Sequence, residues 1–303
     1  MGFAAVFGKI PSLVRLFAKK NIKVGERQYR LRGFFVNELA AREAILDSEP
    51  WLDTVYRAAL MSQKGVFLDV GANIGQTLLK VLALEENRPY IGFEPQVPCC
   101  FLVQRFIEDN ELHSHGILPV GLSDRDALVK LHTRGEGYDS AATTIENFRP
   151  AAFYKSYRYV SVRKGDSVVA ELNIPEISTI KIDVEGGELE VIEGLSQTIR
   201  EHKPFVIFEV LNSFLILTGE KLDQQSVEFR QSRIERMEAV LTALGYDIYQ
   251  VLPENSLKKT TKIQPGKTAD LSMTNYVAVP KVKSDAFFSR YSGRLRDEDS
   301  QVA

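Results

Sequence analysis

Gly65-Val-Phe-Leu-Asp-Val-Gly-Ala-Asn-Ile-Gly75 is the stretch that decides the fold. Residues 65–70 form a short apolar run of the kind a parallel strand needs when both its faces are covered. Gly71-Ala-Asn-Ile-Gly75 punctuates the run, and residues 76–84 return apolar side chains at helical spacing. A strand, a glycine-marked turn and a helix make the opening of a βαβ unit, whose parallel partner must be reached by a right-handed crossover.

The text on either side repeats this grammar. Residues 90–93 read as the next strand, ending at Glu94-Pro95, and residues 97–109 as a helix. Residues 116–122 read as a third strand, ending in Ser123-Asp124. Residues 127–133 alternate like an exposed antiparallel strand, 134–158 are irregular, and 159–163 and 166–172 give another strand and a short helix. A strand over 177–182 precedes a helix over 188–200. A strand over 204–208 ends at Glu209 and precedes a long helix over about 225–244. Residues 246–251 and 275–279 look like a closing antiparallel pair. The expected fold is α/β, a doubly wound, mostly parallel sheet with an antiparallel C-terminal strand. The expected division is an N-terminal helical addition over 1–64, with a short strand or loop at 22–32, then the α/β domain over 65–280 and a loose charged tail over 281–303.

Composition narrows the function classes. With 44% hydrophobic and 26% charged residues over 303 positions, the chain can fill a core and is not a disordered tract. Lys+Arg 38 against Asp+Glu 40 leaves no basic field for nucleic acid, so no nucleic-acid partner is expected. The two cysteines, Cys99 and Cys100, are adjacent, which excludes a disulfide framework, points to a reducing compartment and suits buried packing better than nucleophilic work. The histidines His113, His115, His132 and His202 follow no zinc spacing.

No apolar run reaches the roughly 20 residues of a spanning helix. Residues 3–17 place Phe3, Val6, Phe7, Ile10, Leu13, Val14 and Phe17 on one helical face, with Pro11 restarting the helix. The segment reads as a helix docked on the body, with peripheral membrane contact as the alternative. It lacks a signal-peptide cleavage site, and Val6 stands where a myristoylation pattern needs Ser or Thr. The expected setting is cytoplasmic, with the inner membrane surface as a docking place.

In an open α/β sheet, ligands sit beyond the carboxyl ends of the strands. Asp69, Glu94, Asp124, Asp183 with Glu185, and Glu209 all fall at such ends. The 71–75 loop lacks the G-x-G-x-x-G form that cradles a pyrophosphate, which counts against a nicotinamide oxidoreductase. Glu94 is placed to accept hydrogen bonds from both ribose hydroxyls of an adenosine. An acid-lined edge suits a cationic ligand, and S-adenosylmethionine carries a sulfonium and an ammonium.

The stretches Asp69-Val-Gly-Ala-Asn-Ile-Gly75, Gly92-Phe-Glu-Pro95 and Lys181-Ile-Asp-Val-Glu-Gly-Gly-Glu188, with the strand ending at Glu209, resemble the FkbM family of S-adenosylmethionine-dependent methyltransferases. The resemblance covers about 65–280, with Gly187 where the family often has alanine. It implies a class I methyltransferase fold and O-methylation of sugars or natural products. By position it implies Asp69, Gly71, Ala72, Asn73 and Gly75 on the methionine part, Glu94 and Pro95 at the ribose, and Ser123 and Asp124 near the adenine. Asp183, which also borders the cofactor, is the first candidate base and Glu209 the second; Lys181 shares a face with Asp183 and reads as an ion-pair partner. Glu185 and Glu188 are as well explained by capping the following helix as by chemistry. Tyr138, with Asp139, Ser140, Thr143 and Tyr154 in the 134–158 insertion, and Asn212, with Ser213 and Phe214, are candidate contacts for a small-molecule or glycan acceptor. A divalent metal is a less favoured alternative. A non-catalytic adenosine-binding protein is the remaining one.

Overall fold

The chain is described here by a computed structural model covering residues 18–33, 49–135, 138–149, 151–211, 224–264 and 270–296. Its first strands, β1 (Ala18–Val24) and β2 (Arg27–Gly33), pair as an antiparallel hairpin. Alternate residues Ile22, Val24, Tyr29 and Leu31 are buried, which is the period-two signature of a strand with one covered face. The expected strand or loop at 22–32 is therefore a hairpin, made of the end of β1, the turn and most of β2, and Arg32 pairs with Asp109 to fasten it. A short 3-10 turn over Pro50–Leu52 leads into α1 (Asp53–Ser62), which buries Val55, Tyr56 and Leu60. Residues 3–17, with the membrane contact proposed for them, lie outside the described residues.

The central unit runs β3 (Val66–Val70), α2 (Gln76–Leu84), β4 (Tyr90–Phe93), α3 (Val97–Asp109) and β5 (His115–Leu118). Next come β6 (Gly121–Ser123), β7 (Ala127–Thr133) and β8 (Ser156–Lys164), which form a separate three-stranded sheet in the order β6-β8-β7. The run over 116–122, expected as one strand, is two. Pro119 cannot donate to a ladder, Val120 N–H turns back to Leu118 O at 2.9 Å, and residues 121–123 leave the main sheet for β8.

The chain returns through α4 (Gly165–Glu171), β9 (Ile177–Ile182), α5 (Glu188–Gly194), α6 (Ser196–His202) and β10 (Phe205–Glu209). The helix expected over 188–200 is thus divided at Leu195, which is fully buried. It closes with α7 (Gln224–Ala243), β11 (Tyr246–Leu252), β12 (Ser256–Thr260), β13 (Asn275–Pro280), α8 (Ser284–Phe288) and β14 (Arg294–Arg296). The main sheet has nine strands in the order β14-β12-β11-β13-β10-β9-β3-β4-β5. β9, β10, β3, β4 and β5 are mutually parallel, and β13 enters antiparallel between β10 and β11. This is a Rossmann-like, mostly parallel sheet with an antiparallel strand toward its C-terminal side, as expected.

Each central strand is buried on both faces. Phe67, Phe205 and Ile207 pack into one apolar cluster, while Leu68, Val70, Val206 and Phe208 pack into the other. Residues 281–296 are not a loose tail. Phe287 is fully buried against Phe205 at 5.2 Å between ring centres, and β14 pairs with β12. The charged text there hides single apolar anchors, which composition alone does not reveal. Among the described residues no helix is long and apolar enough to cross a membrane.

The connection reverses direction between β3 and β9. β4 and β5 continue on one side of β3, and β9 and β10 on the other. That switch point opens a crevice beyond the strand ends.

Candidate active site

The crevice is built from the glycine turn upward. Gly71 and Gly75 hold φ of 89° and 90°, and Asn73 adopts 46°. The amides of Gly71 and Ala72 both donate to Phe93 O, at 2.9 and 3.1 Å, so the turn is pinned to the end of β4. Beyond it lies a cleft of about 760 Å³ bordered by Gly71, Ala72 and Asn73, by Glu94 and Pro95, by Asp183 and Glu185, and by Glu209.

Glu94 is 3% exposed, and its carboxylate accepts from Asn73 N–H at 2.9 Å and from Gln96 N–H at 2.8 Å. Burial pushes its pKa up to about 7 against the pull of those amides. Asp69 lies behind the turn and does not border the cleft. It is fully buried, the Tyr90 hydroxyl donates to its Oδ2 at 2.5 Å, and burial raises it to about 6.

The floor is a second charged cluster. Lys181 is 1% exposed and donates from Nζ to Asp183 Oδ2 at 3.1 Å. Burial works against its ammonium, but Asp183 foremost, with Tyr56, Glu49 and Glu209, holds its pKa above the ordinary lysine value. Asp183 keeps 37% of its side chain exposed. Glu209 accepts from the Thr274 hydroxyl at 2.7 Å, and burial and then Asp183 drive its pKa well above the carboxylate range. Glu185, at φ 57°, pairs with Arg149, yet burial raises it to about 8. Glu188 Oε1 accepts from the amides of Gly186 at 3.1 Å and Val184 at 3.3 Å, closing the 184–188 turn, and burial lifts it to about 7.

The opposite wall comes from the 134–149 segment. Asp139 N–H donates to Gln96 Oε1 at 2.8 Å, and Gln96 Nε2 donates back to Asp139 O at 3.0 Å. This reciprocal clasp fixes the wall two residues from Glu94. Burial acts against the Asp139 carboxylate, but Arg134 holds it below its usual range. Arg149 donates to Ala141 O at 2.7 Å, and its guanidinium lies 4.9 Å from the centre of the Phe153 ring.

Gly71, Ala72, Asn73, Glu94, Pro95, Asp183, Glu185 and Glu209 therefore meet around one cleft. Gly75 opens α2, and Lys181 and Glu188 support from behind. Ser123 and Asp124 are not brought to the cleft: Ser123 bonds Asp124 at 3.1 Å, Asp124 pairs with Arg125, and Gly121 and Leu122 line the cleft in their place. Tyr138 is 39% exposed and does not border it. Asn212, Ser213 and Phe214 lie outside the described residues. Sequence reasoning missed Glu49, Trp51, Gln96, Arg134, Arg149 and Phe153, all of which line the cleft. Only Gln96, two residues after Glu94, carried a positional signal.

An adenosine donor fits this donor set. The cleft borders carry six carboxylates, from Glu49, Glu94, Asp139, Asp183, Glu185 and Glu209, against two arginines, each already paired with an acid. Burial raises Glu94, Glu185 and Glu209, so the edge is acidic without being fully ionised, and a cation seated there would favour their charged forms. Both cysteines are free and buried; the Cys100 thiol is pushed up to about 12 by burial and suits packing, not nucleophilic attack. Among the described residues no group of three or more His, Cys, Asp or Glu is arranged to hold a metal ion.

Residues 69–248 match the Methyltransferase FkbM domain. The chain is similar to AMB antimetabolite synthetase AmbE of Pseudomonas aeruginosa, 22% identical over 77% of this chain and 12% of that protein. It is also similar to Methyltransferase 1 of Beauveria bassiana, 22% identical over 59% of this chain and 78% of the relative. Methyltransferase FkbM from Methylobacillus flagellatus aligns in structure with a TM-score of 0.43 and 17% identity, over 71% of this chain and 43% of the other. The chain thus spans a small part of the first relative and less than half of that solved structure.

Proposed function

The chain belongs to the FkbM methyltransferase family, and from that premise we propose that it is an S-adenosylmethionine-dependent O-methyltransferase acting on a hydroxyl of a sugar, glycolipid or natural product. The observation that carries this reading is the acid-bordered cleft at the switch point, where Glu94 ends β4 and Asp183 ends β9. The catalytic unit is residues 65–280, with 1–64 as an addition that contributes part of the wall. A cytoplasmic setting belongs to the same reading.

Bound S-adenosylmethionine supplies an electrophilic methyl on a positively charged sulfur with a neutral leaving group. Positioning then provides most of the acceleration, and the chain's residues do the positioning. Glu94 would accept from the ribose hydroxyls with Pro95 beside it, and Gly71, Ala72 and Asn73, which border the cleft, would lie along the methionine part. Asp183 takes the acceptor hydroxyl's proton as the new bond to oxygen forms. Lys181 holds Asp183 Oδ2, which fixes the carboxylate's orientation. Glu209, whose pKa burial and then Asp183 raise, stands as the second candidate to receive the acceptor's proton. Arg149 and Phe153 offer an aromatic and cationic face for the acceptor.

Incubation of the full chain with methyl-labelled S-adenosylmethionine and fractionated hydroxylated metabolites tests this. Label in an ether of a hydroxyl compound is the expected result; label exclusively on nitrogen or carbon, or none in any fraction, overturns it.

A further inference from the structure

The wall that carries Arg149 and Phe153 has a second cavity beside it, of about 320 Å³, and Arg149 borders both. This cavity is lined by His132 of β7, by Ser156 and Tyr157 of β8, and by Asn147 and Tyr154 of the segment between those strands. His132 N–H donates to Thr143 O at 2.8 Å, and Thr143 N–H donates back to His132 O at 3.2 Å, so the end of β7 is tied to the cleft wall. The Nε2 of His132 has no hydrogen-bond partner among the described residues.

Aromatic rings run in series outward from the cleft. Phe153, which lines it, meets Tyr154 with ring centres 5.0 Å apart, and Tyr154 meets His132 at 5.7 Å. His132 meets Tyr157 at 6.5 Å, and Tyr157 meets Tyr159 at 5.7 Å. The strip surfaces as it leaves the cleft: Tyr157 is 49% exposed and Tyr159 68%. The first and last contacts are edge to face, at 83° and 85°. In each of those pairs the ring that gives its edge keeps both faces clear of the other. Charge does not dominate here. Arg149 is paired with Glu185, Lys130 lies 4.9 Å over the Tyr157 ring, and the cavity adds one acid, Glu146, and one base, Lys155. Rings edged by amide and hydroxyl groups suit a neutral ligand with a flat C–H face and a rim of hydroxyls. An alkyl chain would leave those polar groups unpaired.

We propose, on the premise that the chain is an O-methyltransferase, that this strip binds the linked sugar units next to the one being methylated. The acceptor is then an oligosaccharide chain, with its reacting hydroxyl in the cleft and its neighbouring units over Tyr154, His132, Tyr157 and Tyr159. A sugar ring is close in size to one of these side-chain rings, so the strip has room for more than one unit.

The methyl-labelled products of the full chain, separated by size and hydrolysed to their sugars, test this. Label in a chain of two or more linked sugars is expected. Label confined to free monosaccharides, or to compounds without sugar, overturns the assignment and leaves the O-methyltransferase reading standing. No label in any product overturns that reading, and the assignment with it. With the purified oligosaccharide acceptor, Tyr157→Ala combined with Tyr159→Ala is expected to raise KM about tenfold or more, while kcat and S-adenosylmethionine affinity stay within about twofold. Both tyrosines are exposed, and retained cofactor affinity reports a folded variant. Tyr157→Phe combined with Tyr159→Phe keeps the rings and should hold KM within about threefold of wild type. An unchanged KM in the alanine variant, or a loss of kcat in place of a rise in KM, overturns the assignment.

Discussion

Gly71 and Asp183 meet backbone to backbone: a Cβ on Gly71 would stand 1.9 Å from the Asp183 carbonyl oxygen. The turn after β3 and the acid-bearing end of β9 are thus held at a separation that no side chain can share. Gly71 also sits at φ 89°. Gly71→Ala is expected to lose at least about 2 kcal/mol of stability and to weaken S-adenosylmethionine binding, read by urea denaturation and calorimetry on the same preparation. Unchanged affinity would mean that this close approach does not shape the site.

Asp183 is assigned the proton transfer. Asp183→Asn is expected to lower kcat by about 10²–10⁴-fold while S-adenosylmethionine affinity stays within about threefold. Single-turnover methylation beside calorimetry separates the two effects. A variant that turns over at the wild-type rate removes Asp183 from this role.

Burial pushes the Glu94 carboxyl up to about 7. Two ribose hydroxyls both donate, so they need the ionised carboxylate. Affinity for S-adenosylmethionine should therefore rise with pH up to about 7, by at most about tenfold per unit, and then level. Glu94→Gln should bind weakly and without that slope. A slope that survives in Glu94→Gln assigns the titration elsewhere.

The buried acids also set how stability follows pH. Asp69 at about 6, Glu94 and Glu188 at about 7 and Glu185 at about 8 are all raised by burial. The folded chain therefore keeps protons that the unfolded chain has released. Their contribution is complete below the unfolded carboxylate values near 4 and is lost as pH climbs through 6 to 8, so stability of the ligand-free chain should fall between about pH 5 and 8. Asp139, held low by Arg134, loses its own contribution on the acid side. Melting temperatures across this range, with and without S-adenosylmethionine, measure the effect, and the cationic ligand should flatten the decline. A ligand-free chain that gains stability from pH 5 to 8 contradicts the assignment.

Arg88 is 1% exposed and joins the end of α1 to the start of β3. Its guanidinium donates to Leu60 O at 2.5 Å, Gln63 O at 2.9 Å and Gly65 O at 3.0 Å, and it pairs with Glu85 at 2.6 Å. Arg88→Ala strands all of these and should cost about 3–5 kcal/mol in denaturant unfolding; a loss below about 1 kcal/mol would mean that solvent replaces the network.

The parallel core was legible because β3, β4, β9 and β10 are rich in apolar residues and each leads to a polar end, although Ser178, Thr179 and Lys181 interrupt β9. Asp183, Glu94 and Glu209 followed from those ends. Ser123 and Asp124 did not, because Pro119 diverts the chain into a second sheet before the expected strand is complete. Arg149 and Phe153 sit in a segment without periodicity, and tertiary contacts alone bring them to the cleft. Glu49 was hidden for another reason: it reaches the cleft from a left-handed backbone position that no local pattern announces. Single anchors such as Phe287 likewise disappear inside charged text.

The account depends on the acid-bordered crevice receiving a cationic nucleoside and refusing a phosphorylated one. Titration of the full chain with S-adenosylmethionine and, separately, with NADH reads this directly. Saturable one-site binding of S-adenosylmethionine with no heat from NADH is the result predicted; NADH binding in a chain that ignores S-adenosylmethionine would contradict it.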